Sequence, residues 1–164
     1  MEKVITNTTA IIFLRKIRRL DLLDIFRSIE TTREVQEELL EAKDIPYEEK
    51  ELLKEFFQRK ITVREGKRKL KLNLGKGEES AINLCVENKI NYFLSDDKKA
   101  RKTAEIFSIK CIGCIGIILE NLQKRKIQKK EAKELLQLLI KNSYYISIEL
   151  YDNITKEIEE YDDK

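Results

Sequence analysis

Five residues with oxygen-bearing side chains could build a catalytic site in this chain: Asn7, Glu38, Glu78, Asp96 and Asp97. Asn7 ends an apolar, β-branched run, and Asp96 and Asp97 directly follow another such run. Glu78 opens a predicted helix after a glycine-containing loop, and Glu38 lies on a predicted helix one turn after a strand. Residues just past the carboxyl ends of parallel strands meet along one edge of a sheet. Several carboxylates there suit Mg²⁺ or Mn²⁺, ions that activate water and stabilise the charge developing on a phosphodiester.

Each of these acids also has a purely structural interpretation. Asp96 could cap the helix that follows it, since aspartate is a preferred N-cap residue. Glu78 lies in a predicted first turn, where the helix dipole favours a negative charge. Glu38 could be one of many exposed glutamates. The spacing of the acids therefore leaves the metal site open as a hypothesis.

The histidine and cysteine content of the chain restricts the possible catalytic chemistry further. The chain has no histidine, which removes the commonest general base and the commonest zinc ligand. Its three cysteines do not make a secreted disulfide framework. Cys111 and Cys114 form a C-x-x-C pair, but zinc needs four ligands, and a redox role is the weaker alternative. Without a signal-peptide pattern or a long apolar run, we expect a cytoplasmic protein that does not span a membrane.

The charge distribution is uneven. Residues 149–164 carry seven acids against two lysines, whereas the whole chain has a net charge of +3. Residues 1–148 are therefore basic and could attract a polyanion, although solvated lysine-rich faces occur in many proteins that bind no nucleic acid. Among the basic residues near the predicted site, we select Arg15, Lys98 and Arg101 as substrate-binding candidates. Further lysines and arginines cluster at 16–19, 67–71 and 99–102.

Strand-like and helix-like segments alternate along the chain, which predicts an α/β domain with a mostly parallel sheet of about five short strands covered by helices on both faces. Thr8 or Thr9 is expected to cap the first helix, and Thr31 with Glu34 to form a capping box. An amphipathic helix with Leu52 and Leu53 facing inward is predicted after Pro46. The strands are predicted at 4–6, 29–31, 61–63, 92–94 and 109–112. After the first helix, a short helix is predicted at 20–26, and the capping box opens another beyond residue 31. The remaining helices are predicted at 47–59, 78–88, 98–107, 115–122, 132–140 and 149–161.

We find no internal repeat or linker, so residues 1–164 are predicted to form one domain that ends in an acidic helix over 149–164. Residues 64–77 are predicted to be a basic loop. The apolar stripe of Leu135, Leu136 and Leu139 is expected to be core or a dimer contact.

Taken in order, the segments resemble a PIN-like domain. Residues 4–23 resemble the opening of the subgroup whose first motif has Asn-Thr-Ser instead of Asp-Thr-Ser, and Thr9 stands where the family usually has serine. The later motifs follow at the spacing of the family and extend the resemblance over nearly the whole chain. They are EVQEEL at 34–39, GEESAINL at 77–84, FLSDDKKAR at 93–101, CIGCIGIIL at 111–119 and the segment 146–151.

This resemblance implies a metal-dependent nuclease, and more narrowly a ribonuclease toxin of VapC type that is held by an antitoxin and forms a homodimer. It implies a site of Asn7, Glu38, Glu78 and Asp97 with Asp96 beside them, Glu79 being a less favoured substitute for Glu78. Asp97 and Glu78 would coordinate Mg²⁺ or Mn²⁺, Glu38 would help directly or through water, and Asn7 and Thr9 would position an ion, a water or the scissile phosphate.

Asn7 is the departure from the common family pattern that matters most. An amide oxygen can ligate a hard cation but brings no charge, so the affinity for the ion should be lower. The alternative is a non-catalytic PIN-like module that binds RNA or a protein through a degenerate site.

Overall fold

In a computed structural model that describes residues 2–162, five parallel strands form one sheet in the order β3-β2-β1-β4-β5. The strands are short, and the centre of the sheet is buried: Val4 and Ile5 of β1 and Phe93 and Leu94 of β4 expose no surface. The α/β architecture with a parallel, helix-flanked sheet is therefore confirmed. The strands are β1 (Lys3–Thr6), β2 (Ser28–Thr32), β3 (Ile61–Arg64), β4 (Tyr92–Leu94) and β5 (Lys110–Ile112).

The sheet belongs to the first of two compact units, which comprises the residues up to Ile12 together with Phe26–Gly113. Its helices connect successive strands, as parallel pairing requires. They are the first part of α1 (Thr8–Lys16), α2 (Arg33–Glu41), α3 (Tyr47–Lys60), α4 (Lys76–Asn88) and α5 (Lys98–Ile106). The basic loop is shorter than the predicted 64–77: residues 65–75 have no regular structure, whereas Arg64 ends β3 and α4 begins at Lys76.

Two local expectations in this unit were wrong. Thr32 rather than Thr31 caps α2, because its hydroxyl accepts the Val35 N–H at 3.2 Å, while the Thr31 hydroxyl donates to the Thr6 carbonyl at 2.6 Å. Leu52 on α3 is 64% exposed, whereas Leu53 is buried. Leu53, Phe56 and Phe57 follow helical spacing and form the buried face of α3, and Leu52 lies outside that face.

The second unit comprises Phe13–Ile25 and the residues from Cys114 onward. It contains a 3₁₀ helix (Leu20–Ile25), α6 (Cys114–Gln123), α7 (Lys129–Lys141) and α8 (Ile148–Glu160). The Leu135, Leu136 and Leu139 stripe is at most 3% exposed, so these residues are core. The buried Asn121 amide ties α6 to the 3₁₀ helix by donating to the Leu22 carbonyl at 2.9 Å.

In the acidic C-terminal segment, α8 begins after Ser147, whose hydroxyl accepts the Leu150 N–H at 3.1 Å. Lys133 of α7 forms an ion pair with Glu159 of α8, and this pair offsets part of the negative charge of α8. Asp163 and Lys164, the last residues of the predicted acidic segment, lie outside the described residues. Within residues 2–162, no helix combines the length and the apolar character needed to cross a bilayer.

Candidate active site

The candidate site lies at the carboxyl ends of β1 and β4. The chain starts at β1 in the centre of the sheet, continues outward through β2 and β3, and returns to β4 on the other side of β1. The strand order thus reverses between β1 and β4, and open α/β sheets bind ligands in the crevice at such a point. Asn7 follows β1 and Ser95 follows β4, and the Asn7 N–H donates to the Leu94 carbonyl at 3.1 Å.

Asn7 is 1% exposed, and both the oxygen and the nitrogen of its amide are hydrogen-bonded. Its Oδ1 accepts from the Thr9 N–H at 3.1 Å and from the Thr9 hydroxyl at 2.9 Å. Its Nδ2 donates to the Ser95 hydroxyl oxygen at 2.8 Å. Asn7 therefore caps α1, a role that the sequence had assigned to Thr8 or Thr9. Because a carbonyl oxygen has two lone pairs, an ion at Oδ1 would have to displace one of the Thr9 contacts.

Thr9 and Ser95 link this amide to the two aspartates. The Thr9 hydroxyl, which donates to Asn7, also accepts the Asp96 N–H at 2.9 Å. The Ser95 hydroxyl oxygen accepts the Asp97 N–H at 3.1 Å. Asn7 and the Ser95–Asp97 segment are thus held as one hydrogen-bonded network across the switch point of the sheet. This network brings together three of the predicted site residues, Asn7, Asp96 and Asp97, with Thr9.

Asp97, not Asp96, caps α5. Its Oδ1 accepts the Ala100 N–H at 2.7 Å, which leaves the second carboxylate oxygen for another partner. Asp96 instead turns towards Gly113, the residue after β5. A Cβ built on Gly113 would lie 2.4 Å from Asp96 Oδ1 and 3.3 Å from Arg101 Nη2. Gly113 therefore allows the Asp96 carboxylate and the Arg101 guanidinium to approach the backbone there.

Glu38 and Glu78 form a second group at the start of α4. Glu38 Oε1 accepts the Gly77 N–H at 3.0 Å, and a Cβ on Gly77 would lie within 2.8 Å of the Glu38 carboxylate. The pKa of Glu38 is raised, chiefly because the surrounding chain removes water from its carboxylate. The Gly77 N–H opposes this shift and the nearby negative charge of Glu78 adds to it. Two coupled carboxylates, one of them with a raised pKa, are typical of a functional site.

Hydroxyl groups that the sequence analysis did not single out connect β2 to this second group. The Thr32 and Ser80 hydroxyls are 2.6 Å apart, and Ser80 donates to the Gly77 carbonyl at 2.9 Å. Ser80 is two residues after Glu78 on α4. The bond to the cap of α2 therefore fixes the position of the α4 N-terminus, where Glu38 and Glu78 meet.

The family model DUF3368, described as a PIN domain, matches residues 3–160. The chain belongs to the PIN domain family. No curated protein and no solved structure matches it significantly. The match covers both units, and it confirms the resemblance that the ordered motifs indicated.

PIN domains are generally nucleases and usually use divalent metals, and the donor chemistry of this PIN domain is compatible with such ions. In residues 2–162, however, no three Asp, Glu, Cys or His side chains converge on one point where they could hold a metal. The acids form two groups, one around Asn7 and one around Gly77. Mg²⁺ is commonly held by one or two carboxylates with waters completing its shell, and the Glu38 and Glu78 pair fits that donor set.

The remaining predicted residues have different surroundings. Lys98 and Arg101 are exposed on α5 in the sheet-bearing unit. Arg15 belongs to the second unit and is half-buried on α1. Glu79, the less favoured substitute for Glu78, accepts the Leu72 N–H at 2.8 Å and is therefore engaged with the basic loop.

The sequence analysis also missed Glu30, a buried carboxylate in β2. It is 3% exposed, and its Oε1 pairs with Lys3 at 2.8 Å and with Arg64 at 3.3 Å. A glutamate inside an otherwise apolar and hydroxyl-bearing strand was the available signal. Because both cations come from neighbouring strands, the charge of Glu30 is balanced within the sheet.

The cysteines give no support to redox chemistry. All three are free thiols. Burial raises the pKa of Cys85, and it raises the pKa of Cys111 to about 11. A thiol with a raised pKa is a poor nucleophile at neutral pH, because the thiolate is the reactive form.

Proposed function

We propose that this PIN domain is a metal-dependent endoribonuclease that uses Mg²⁺ or Mn²⁺ to hydrolyse RNA phosphodiesters. The observation that carries the proposal is the coupled pair of Glu38 and Glu78 at the N-terminus of α4. Burial raises the pKa of Glu38, and the negative charge of Glu78 adds to that shift, so a divalent cation beside both carboxylates would stabilise the ionised form of Glu38. Bound there, the ion would polarise a water and the scissile phosphate.

The chain's own residues would support this reaction in separate ways. Glu38 and Glu78 would hold the cation, and Asp97 would direct its second carboxylate oxygen towards a cation or a water. Asn7 and Thr9 would keep the Ser95–Asp97 segment in place through their hydrogen bonds. Lys98 and Arg101, exposed on α5, would contact phosphates next to the one that is cleaved.

The proposal extends to a toxin of VapC type that acts in the cytoplasm as a homodimer and is inhibited by an antitoxin. Leu138 and Ile140 of α7 are 39% and 40% exposed beside the buried stripe of that helix. They are the part of the predicted apolar face that remains available for a second copy. Size-exclusion chromatography with light scattering on Leu138→Lys tests the dimer, and a monomeric wild type would exclude it.

The experiment for the nuclease is an RNA cleavage assay with Mn²⁺ on single-stranded and structured substrates. Asp97→Asn is the informative variant, because asparagine is as good an N-cap as aspartate and α5 keeps its Ala100 contact. The variant thus removes charge without removing the cap. Asp152→Asn, at an exposed position on α8, is the matched control. We expect cleavage by the wild type and the control and none by Asp97→Asn, and full activity of Asp97→Asn would refute the assigned role.

A second function is favoured by one observation, the hydrogen bonds that already occupy both the oxygen and the nitrogen of the Asn7 amide. If that amide replaces a ligand that the reaction requires, the domain is a non-catalytic module that binds RNA or a protein. This alternative predicts no cleavage at any Mn²⁺ concentration and RNA or partner binding that persists in EDTA. Loss of binding in EDTA together with Mn²⁺-dependent cleavage would exclude it.

A further inference from the structure

The basic loop, residues 65–75, connects β3 to the N-terminus of α4, where Glu78 lies. It carries a lysine at every second position, Lys67, Lys69 and Lys71, and all three are exposed. Alternate residues are at most roughly 7 Å apart along a chain. The loop therefore presents a short row of positive charges that leads directly into the candidate site.

Three side chains of α4 hold the backbone of this loop in place. They are Glu79, Asn83 and Glu87, which recur at every fourth position and therefore lie on one face of the helix. Glu87 accepts the Lys67 N–H at 2.9 Å, and Glu79 accepts the Leu72 N–H at 2.8 Å. The Asn83 amide donates to the Leu70 carbonyl at 2.9 Å. The side chains of α4 thus hold the loop backbone at three positions between residues 67 and 72.

The fourth basic residue of the loop has a structural role. Arg68 donates to Asn83 Oδ1 at 3.1 Å, and its guanidinium carbon lies 5.6 Å from the centroid of the Phe107 ring. Within residues 2–162, neither Lys67 nor Lys71 takes part in an ion pair, and Lys69 approaches Glu34 only to 4.0 Å. One cation therefore anchors the loop, and the three lysines are available to a ligand.

An apolar side chain interrupts the row of charges. Leu70, between Lys69 and Lys71, is 48% exposed although its backbone is held against α4. A duplex offers mainly sugar and phosphate groups on its outside, whereas a single strand also offers unstacked bases that pack on apolar surface. Exposed lysines around an exposed leucine match the second ligand better than the first.

We propose that the basic loop binds the backbone of single-stranded RNA and leads the strand to the α4 N-terminus, an inference that rests on the proposed nuclease function. Lys67, Lys69 and Lys71 contact successive phosphates, and Leu70 contacts a base. Glu79, Asn83 and Glu87 are positioning residues, because they act only by holding the loop.

The test measures binding of a fluorescein-labelled single-stranded oligoribonucleotide by anisotropy in EDTA, so that affinity is separated from cleavage. The first variant combines Lys67→Gln, Lys69→Gln and Lys71→Gln. The control removes the same charge from exposed lysines of the second unit, with Lys126→Gln, Lys141→Gln and Lys156→Gln. A further variant, Leu70→Ala, is compared on the single strand and on a duplex of the same sequence.

Single-strand binding weakens with salt by a slope of about 0.7 per phosphate contact, so the loss of three contacts lowers the slope by roughly 2. At 0.1 M salt the same term corresponds to an affinity loss of up to roughly 100-fold. We expect this loss for the loop variant, a change below about twofold for the control, and a Leu70→Ala effect confined to the single strand. Equal losses in both triple variants, tighter binding of the duplex, or no binding by the wild type would each overturn the proposal.

Failure of this proposal is distinguishable from failure of the nuclease. If the wild type cleaves with Mn²⁺ while the loop variant binds normally in EDTA, the loop proposal is wrong and the nuclease stands. If the loop variant loses binding and the wild type cleaves nothing, the loop binds RNA and the nuclease proposal is wrong. Circular dichroism of each variant confirms that it is folded before its affinity is interpreted.

Discussion

The substitution Asn7→Asp tests whether the amide at the end of β1 is kept for structural reasons. Asn7 is 1% exposed, and its three hydrogen bonds all go to Thr9 and Ser95. An ionised carboxylate there would retain both donors of Thr9 but lose the bond that Nδ2 donates. The Ser95 hydroxyl would have to rotate and donate in its place.

The expected change in the free energy of unfolding is the balance of opposing effects. The effective cost of burying a carboxylate charge is several kcal/mol. Against it, two hydrogen bonds from Thr9 become charge-assisted, a gain of about 1 kcal/mol each, and the α1 N-terminus adds about 0.5 kcal/mol. We therefore expect the free energy of unfolding to fall by about 2 kcal/mol at pH 7. A carboxylic acid, in contrast, donates from its O–H and accepts at its carbonyl as the amide does.

The sign of the pH dependence follows from this comparison. Burial raises the pKa of a carboxyl in the folded state above its value in the unfolded chain, so the contribution to stability is lost as the pH rises through the folded-state pKa. The destabilisation should therefore be present at pH 7 and absent in acid, where the carboxyl is protonated in both states. Saturating Mn²⁺ should restore stability at pH 7 if the new carboxylate ligates the ion.

Urea unfolding followed by circular dichroism at pH 7 and in acid, with and without Mn²⁺, measures each of these effects. Asn91→Asp, at an exposed position before β4, is the matched control and should change stability little. A loss of stability that is equal at both pH values would show that the cost is steric. No loss at pH 7 would show that the site already accepts a negative charge, and either result refutes the reasoning.

Three further predictions concern groups around α4 and β5. Gly77→Ala should displace the Glu38 carboxylate, because a Cβ would lie 2.6 Å from its Oε2, and should abolish Mn²⁺-dependent cleavage while the fold persists by circular dichroism. Because the pKa of Glu38 is raised in the folded protein, the free energy of unfolding should decline as the pH rises through that pKa. Glu38→Gln should remove this decline when the free energy of unfolding is measured with urea at several pH values. An unchanged pH dependence in the variant would show that Glu38 does not cause it. Cys111, with a pKa of about 11, should react with iodoacetamide far more slowly at pH 8 than a model thiol, as mass spectrometry would show.

The strands and helices were predictable because their sequence patterns are local. The strand at Tyr92–Leu94 and the break at Pro46 depend on residues within a few positions of each other, and both are confirmed. The hydrogen-bond partners of side chains, in contrast, are often distant in the sequence. Thr31 and Thr32 are equally good caps by composition, but only Thr32 is free to cap, because the sheet directs the Thr31 hydroxyl to the Thr6 carbonyl. Tertiary contacts decided between identical neighbours.

Contacts between residues distant in the sequence also limited what could be predicted about the candidate site. The motifs placed Asn7 and the Asp96–Asp97 pair at one sheet edge, and the structure joins them through Thr9 and Ser95. The sequence did not indicate that Glu38 and Glu78 form a separate group at the α4 N-terminus. Nor did it indicate that Glu79 serves the basic loop, although its spacing with Asn83 and Glu87 was visible. These outcomes depend on the path of residues 65–75, which form no helix or strand whose geometry the sequence could predict.

Helix capping and catalysis place the same residue types at the same edge of a parallel sheet. Every strand there is followed by a helix whose first N–H groups need an acceptor, and aspartate and asparagine are the usual choices. Asn7 and Asp97 both cap, so their presence alone does not indicate catalysis. Charge is the property that capping does not require. Two substitutions change the charge while keeping the cap: Asp97→Asn removes a charge, and Asn7→Asp adds one. They therefore separate capping from catalysis. A residue that only caps loses no function when it is neutralised, whereas a metal ligand does.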